Sequence, residues 1–238
     1  MWQTIITAAG DDDQVFRQAG FTEPKNWVKF RDLTILESAI GSYGANAEKT
    51  AVILREVERP FWAQSETLQT TNASSIFISN STQGALCTAL LGLDGFDLNA
   101  PLVVAPGDSI LRFGISEIVS EFLSSGATAA TVLFESSDAR YSYARLMPNS
   151  DISEMAEKRL ISNWASTGLF LFKQAQDFLD AGTWVLKQNM RTGNEFFMSS
   201  SLNYLVMRGD RVRGINLPAS NKYIRLATPF DLLGESDR

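Results

Sequence analysis

Apolar residues in this chain fall into short continuous runs, separated by segments whose apolar positions recur at helical spacing. Thr4–Ala8 reads as a strand. Lys49–Arg55 is a second, and its Ala51-Val52-Ile53-Leu54 run suits a parallel strand covered on both faces. Ser75–Ser79, Pro101–Ala105 and Ala130–Glu135 read the same way. Between them, Thr34–Tyr43 places Ile35, Leu36, Ala39 and Ile40 on one helical face. Glu58–Thr70, Gly84–Leu93 and Ile115–Ser124 read as further helices. This β-α alternation predicts a single-domain, Rossmann-like α/β fold: a mixed, mainly parallel sheet flanked by helices.

The rhythm changes after residue 135. Tyr141–Met147 and Ser153–Ala156 read as an antiparallel pair about the turn Pro148-Asn149-Ser150-Asp151. Ser166–Lys173 is a strand, Asp177–Asn189 an amphipathic helix, and Leu202–Arg208 a short helix ended by Gly209. Arg211–Leu217 is the last strand, and a terminal helix or tail starts at Asp231–Leu233. Ligands of such sheets bind beyond the carboxyl ends of the strands. Three strand-exit segments, Ala8–Gly10, Ser79–Gly84 and Pro106–Asp108, are therefore expected to converge on one site.

At 238 residues the chain fits one domain, and 45% hydrophobic content allows a sizeable core. A net charge of −6 argues against nucleic acid or an anionic membrane as the main partner. A phosphate site would have to be built locally, from backbone N–H groups and a few cations. One cysteine, Cys87, excludes an intrachain disulfide and fits a reducing, cytoplasmic compartment. It lies in a small, apolar, helix-like run and reads as a buried structural thiol. No histidine is present, which removes the usual general base, Ser-His-Asp triads and most zinc sites. Chemistry falls to carboxylates, lysine, arginine and a hard cation such as Mg²⁺. No run of 18 apolar residues predicts a membrane span, and the N-terminus does not read as a signal peptide.

The first 25 residues carry the most chemistry. A strand runs into Ala8-Ala9-Gly10, and Lys25 follows on a turn fixed by Pro24. Small residues at a strand end let a ligand approach the backbone, and a lysine beyond can place a cation on phosphate. Later blocks follow: Glu157-Lys158, Thr167-Gly168-Leu169-Phe170-Leu171-Phe172, Gly193-Asn194-Glu195-Phe196-Phe197, and Thr228-Pro229-Phe230-Asp231-Leu232. In this order the blocks resemble the sugar-phosphate nucleotidyltransferases, also called nucleotide-sugar pyrophosphorylases, with a GT-A-like fold. The resemblance covers residues 4 to 232. It implies Mg²⁺-dependent transfer of a nucleotidyl group, expected to be a pyrimidine nucleotide, to a sugar phosphate or other small phosphorylated alcohol. It further implies a nucleotide-binding half (1–135), an acceptor-binding half (136–238) and a role in surface polysaccharide precursor synthesis. Partners would be the triphosphate and the phosphorylated acceptor; a homo-oligomer is left open.

The resemblance also assigns residues. Lys25, Arg17 and Asp108 would be catalytic, with Asp108 the metal ligand. Ala8, Ala9, Gly10, Gln83 and Gly84 would bind the nucleotide, Gln83 reading the base edge. Glu157, Lys158 and Gly168 would meet the acceptor. Plainer readings stand beside these: a surface lysine at a turn, a turn aspartate after glycine, a polar helix start, a solvated charged pair and a strand bulge. Two departures stand out. The family's Gly-x-Gly-x-Arg loop is replaced by Gly10-Asp11-Asp12-Asp13-Gln14-Val15-Phe16-Arg17, which reads as a solvated acidic loop or, alternatively, a metal-binding one. Where the family often carries a second metal aspartate, this chain has Arg225. A catalytically degenerate binding relative and a glycosyltransferase using a nucleotide sugar are the rival readings.

Overall fold

Strand β1 (Gln3–Thr7), buried on both faces, lies in the interior of the main sheet. The computed structural model describes residues 1–11, 13–44, 46–112, 114–217 and 223–236. After β1 come α1 (Asp13–Gln18), a 3₁₀ turn over Lys25–Trp27, a small hairpin of β2 (Lys29–Phe30) and β3 (Leu33–Thr34), and α2 (Ile35–Tyr43). Next are β4 (Lys49–Arg55), α3 (Arg59–Gln64), α4 (Glu66–Gln69), β5 (Ala73–Ile78) and α5 (Ala85–Leu91). The chain continues through β6 (Leu102–Pro106), β7 (Ser109–Leu111), α6 (Ile115–Ser125) and β8 (Ala129–Glu135). The second half holds β9 (Tyr143–Leu146), β10 (Ile152–Ala156), β11 (Trp164–Phe172), α7 (Ala175–Lys187) and α8 (Met198–Arg208). It ends with β12 (Val212–Asn216), β13 (Tyr223–Arg225) and α9 (Pro229–Ser236).

The main sheet runs β10-β9-β11-β6-β1-β4-β5, with β8 branching from β11 and β12 pairing with β8. Strands β6, β1, β4 and β5 are parallel, and β11 enters antiparallel to both β6 and β8. The fold is thus mixed α/β, with its parallel strands at the centre, as the hydrophobic runs predict. Alternation sorts each strand between two cores. Ile6, Val52 and Val103 pack with α2 and α6, whereas Ile5, Ile53 and Val104 pack with α5, α7 and α8. Among the described residues no helix is long and apolar enough to cross a membrane. Cys87 is half-buried against the second of these cores.

Three expectations change in detail. The helix predicted over Glu58–Thr70 breaks at Ser65, whose Oγ accepts the Leu68 N–H and starts a new helix. The last long helix begins at Met198 rather than Leu202. The acidic stretch read as a loop is helical from Asp13, and the segment between Lys25 and Thr34, to which the hydrophobic pattern assigns no element, contains the β2–β3 hairpin. The β7–β13 ribbon also escapes the hydrophobic pattern, because each strand has only three residues.

The exits of β1 and β6 are pressed together. The Gly107 N–H donates to Thr7 O at 2.9 Å, and a Cβ at Gly107 would lie 2.7 Å from Ala8 Cβ. Ala8 has no longer side chain that could swing aside. Gly107→Ala is therefore expected to cost about 1–3 kcal/mol through overpacking, read as a lower thermal midpoint. An unchanged midpoint would show that the two exits can separate freely.

Candidate active site

The parallel strands end at one edge of the sheet, and their exits frame a two-chambered cleft. The first chamber, about 310 Å³, is bounded by Ala8, Ala9, Gly10, Lys25 and Gly84. The second, about 200 Å³, is bounded by Glu157, Gly168, Tyr141, Tyr223 and Arg225. Thr7, Ala85, Pro106 and Asp108 line both. The wall between the chambers is thus made of strand ends, with a carboxylate on it.

The first chamber owes its shape to Asp13. This carboxylate is buried; its Oδ1 accepts the Lys25 backbone N–H at 2.9 Å, and its Oδ2 is paired with Arg55 Nη2 at the end of β4. Arg55 also reaches the exposed Asp11 at 2.8 Å. Next to Lys25, the buried Asn26 donates from Nδ2 to Ala8 O and to Glu58 Oε1, both at 2.7 Å. Glu58 is fully buried; burial pushes its carboxyl up, against the pull of Asn26 and Arg55. The acidic stretch is therefore not a solvated loop at Asp13. Two of its members engage one arginine from β4, which hydrophobic patterning does not connect to them. Asp12 lies outside the described residues.

Lys25 and Asp108 meet across the cleft. Lys25 Nζ donates to Asp108 Oδ2 at 2.9 Å, with the lysine buried and the aspartate a quarter exposed. Burial alone would push the Asp108 carboxyl up. The Lys25 ammonium and, behind it, Arg225 outweigh burial and hold the carboxyl below its usual value.

In the second chamber, Glu157 Oε2 accepts from the Ser142 and Ser199 hydroxyls. Gly168 has φ +84° and lies where β11 shifts register; a Cβ there would come 3.3 Å from Pro106 Cγ. Strand β11 pairs with β6 only over Phe170–Phe172, and the bend beyond makes room for the chamber. Tyr141 and Tyr223 pack edge to face on the same side, with ring centroids 6.4 Å apart.

The residues singled out in the sequence separate into three groups. Lys25, Asp108, Ala8, Ala9, Gly10 and Gly84 lie together in the first chamber. Glu157 and Gly168 lie in the second. Arg17, Gln83 and Lys158 line neither. Arg17 is exposed in the last turn of α1, because Asp13 anchors the start of that helix. Gln83 Oε1 accepts from Arg191 at 2.8 Å. Lys158 is exposed, with Nζ 5.0 Å from the Phe197 ring. Gly84 has φ +117°, and a Cβ there would fall 2.5 Å from Phe196 O, so this position requires glycine. Burial pushes the Cys87 thiol up, which suits a structural role rather than a nucleophilic one. Sequence reasoning missed Asn26, Arg55, Glu58 and Arg140. Asn26 alone carried a signal, its place directly after Lys25.

Two stability tests follow from these contacts. Asp13→Ala leaves a partly buried arginine without its main partner and should cost about 2–3 kcal/mol, lowering the thermal midpoint by roughly 4 to 12 °C. Asp11→Ala at the exposed end of the same arginine should change stability by less than about 1 kcal/mol. Equal effects would remove Asp13 as the anchor. The depressed Asp108 carboxyl stabilises the fold above its ordinary value of 3.8, and this contribution is lost as pH falls through the lower folded value. The stability difference between the native chain and Asp108→Asn, about 1–3 kcal/mol at neutral pH, should therefore shrink below pH 3.8. A difference constant across the acid range would exclude the ion pair as its source.

In sequence, the chain matches no protein-family model and no curated protein. In structure it is similar to a nucleoside-diphosphate-sugar pyrophosphorylase from Vibrio cholerae RC9, with a TM-score of 0.84 at 20% identity over 99% of this chain and 100% of that one. A UDP-glucose pyrophosphorylase complexed with UDP-glucose gives 0.83 at 15% identity, over 100% and 97%. The inositol-1-phosphate CTP transferase from T. maritima gives 0.74 at 14% identity, over 100% and 97%. The chain thus has, end to end, the fold shared by these pyrophosphorylases and nucleotidyltransferases.

Proposed function

We propose that this protein is a nucleotidyltransferase, joining the nucleotidyl group of a nucleoside triphosphate to a small phosphorylated acceptor. The observation that carries the reading is the pair of chambers meeting at Asp108, beside Lys25. In-line transfer needs a donor and an acceptor site that share one reacting centre. The structural relatives all bear names from this chemistry, and two of the three names include a pyrimidine nucleotide. They support a pyrimidine nucleotide as the donor here.

On this reading the triphosphate lies in the first chamber. The small residues Ala8, Ala9 and Gly10 admit the nucleotide against the β1 exit. The acceptor phosphate, already ionised, attacks the α-phosphorus. Its oxygen forms the new P–O bond while the bond to the β-phosphate oxygen breaks, and pyrophosphate leaves. No proton has to be removed, which suits a chain without histidine. Lys25 stabilises charge building on the α-phosphate oxygens. Asp13 fixes its backbone and Asp108 its ammonium group.

Among the described residues no group of three or more potential ligands could hold a metal. Magnesium is commonly held by one or two carboxylates together with substrate phosphates, and Asp108 fits that lesser demand. Bound there with the nucleotide, it would neutralise phosphate charge. The rival reading, a binding module without turnover, draws on the altered acidic loop, whose Asp13 is committed to Arg55.

The test is pyrophosphate release with Mg²⁺ across CTP, UTP, dTTP, ATP and GTP, each with a panel of sugar and alcohol phosphates. Release is expected with a pyrimidine triphosphate and only when one acceptor is present. Lys25→Ala should then lower kcat/KM by about 100-fold or more while the protein stays folded by circular dichroism. Silence across the panel, with a thermal shift on adding triphosphate, would favour the binding module.

A further inference from the structure

We propose that Arg225, paired with Arg140, forms a built anion clamp that holds the acceptor's phosphate without help from a divalent cation. The proposal rests on the nucleotidyl-transfer reading for the identity of its ligand, a phosphate monoester that also carries hydroxyl groups. Both arginines line the second chamber. They come from different parts of the chain, Arg140 from the segment before β9 and Arg225 from the end of β13. One carboxylate holds both: Asp231 Oδ1 lies 3.3 Å from Arg140 Nη1, and Oδ2 lies 3.3 Å from Arg225 Nη1.

Asp231 is itself fixed. It is 9% exposed, and its Oδ2 also accepts the Thr228 N–H at 3.0 Å at the start of α9. Asp138 holds the other side of Arg140, accepting from Nε at 2.7 Å. The guanidinium of Arg225 lies over the Tyr141 ring, 5.6 Å from its centroid. Asp138 takes the Nε and Nη2 edge of Arg140, so this arginine adds fixed charge, while the Arg225 guanidinium, held at Nη1 by Asp231 and set against an aromatic face, supplies the planar fork that phosphate accepts. Arg225 spends one of its five N–H donors on Asp231. Its charge also reaches Asp108, on the wall shared with the first chamber, so an anion held at Arg225 sits toward the reacting centre. Elsewhere in the same chamber, Glu157 with Ser142 and Ser199 supplies groups suited to hydroxyls. The polarity of the chamber therefore matches the two ends of a sugar or polyol phosphate.

Here an arginine stands where the family resemblance places a second metal aspartate. The substitution reverses the charge at that point. An aspartate there would need a metal ion to attract phosphate, whereas an arginine attracts it directly. Lys158, the alternative cation, is exposed and lies outside the lining of the chamber.

The experiment is titration of the full chain with inorganic phosphate by isothermal calorimetry, once in EDTA and once in Mg²⁺. The native chain should bind phosphate in EDTA, with affinity changed less than about threefold by Mg²⁺. Arg225→Ala should lose about tenfold or more, and Arg225→Lys should recover part of that loss. Circular dichroism and thermal melting check that each variant is folded, and Arg225→Gln replaces the alanine variant if that one is not. Phosphate binding that requires Mg²⁺, or that is unchanged in folded Arg225→Ala or Arg225→Gln, overturns the clamp. The transfer reading fails separately. Arg225-dependent phosphate binding with no pyrophosphate release from any substrate pair would leave the clamp and remove the transfer. Turnover with an acceptor KM unchanged in Arg225→Ala would do the reverse.

Discussion

The buried carboxylate of Asp13 is the constraint on which the candidate site depends. One of its oxygens pins the backbone of Lys25, and the other holds the last residue of β4. Through Asn26 the same turn is tied to the exit of β1 and to Glu58. Three segments far apart in the chain are thereby fixed relative to one another. A phosphate loop built from glycines would wrap its ligand with backbone N–H groups. In this chain carboxylates take that stretch, and the rigidity they supply goes to placing a lysine.

The central strands and their flanking helices were legible because β6, β1 and β4 are buried on both faces. Continuous runs such as Ala51-Val52-Ile53-Leu54 have no other stable place in an α/β fold. Convergence of the strand exits followed from topology alone, and Ala8, Gly84 and Asp108 lie where that argument puts them. The carboxylate network was not legible. Asp13 and Arg55 are 42 residues apart, and no periodicity links them. The same holds for Arg140 and Asp231, which are 91 residues apart. Ion pairs between loops carry no local pattern, so only the fold reveals which charges meet. The β7–β13 ribbon, which delivers Arg225, is too short to announce itself.

Arg17 illustrates how local structure redirects a motif. A loop carries side chains toward whatever its backbone wraps. Once Asp13 starts a helix, spacing is set by 3.6 residues per turn, and Arg17 falls on the exposed side while Phe16 goes into a satellite core.

Charge in the cleft is organised by a single rule. Lys25 is held by Asp108, and Arg140 and Arg225 by Asp231, while Arg55, which lines neither chamber, is held by Asp13. Each cation therefore stands in place before a ligand arrives. On the proposed reading, an incoming phosphate would have to compete with these carboxylates, which would cost affinity. In return, little reorganisation of the cations would be needed as charge developed on the reacting oxygens of the proposed reaction, the condition under which fixed charges accelerate chemistry most. The chain's acidic balance is consistent with this arrangement. Several of its carboxylates are engaged with the cations that, on the proposed reading, receive the substrate.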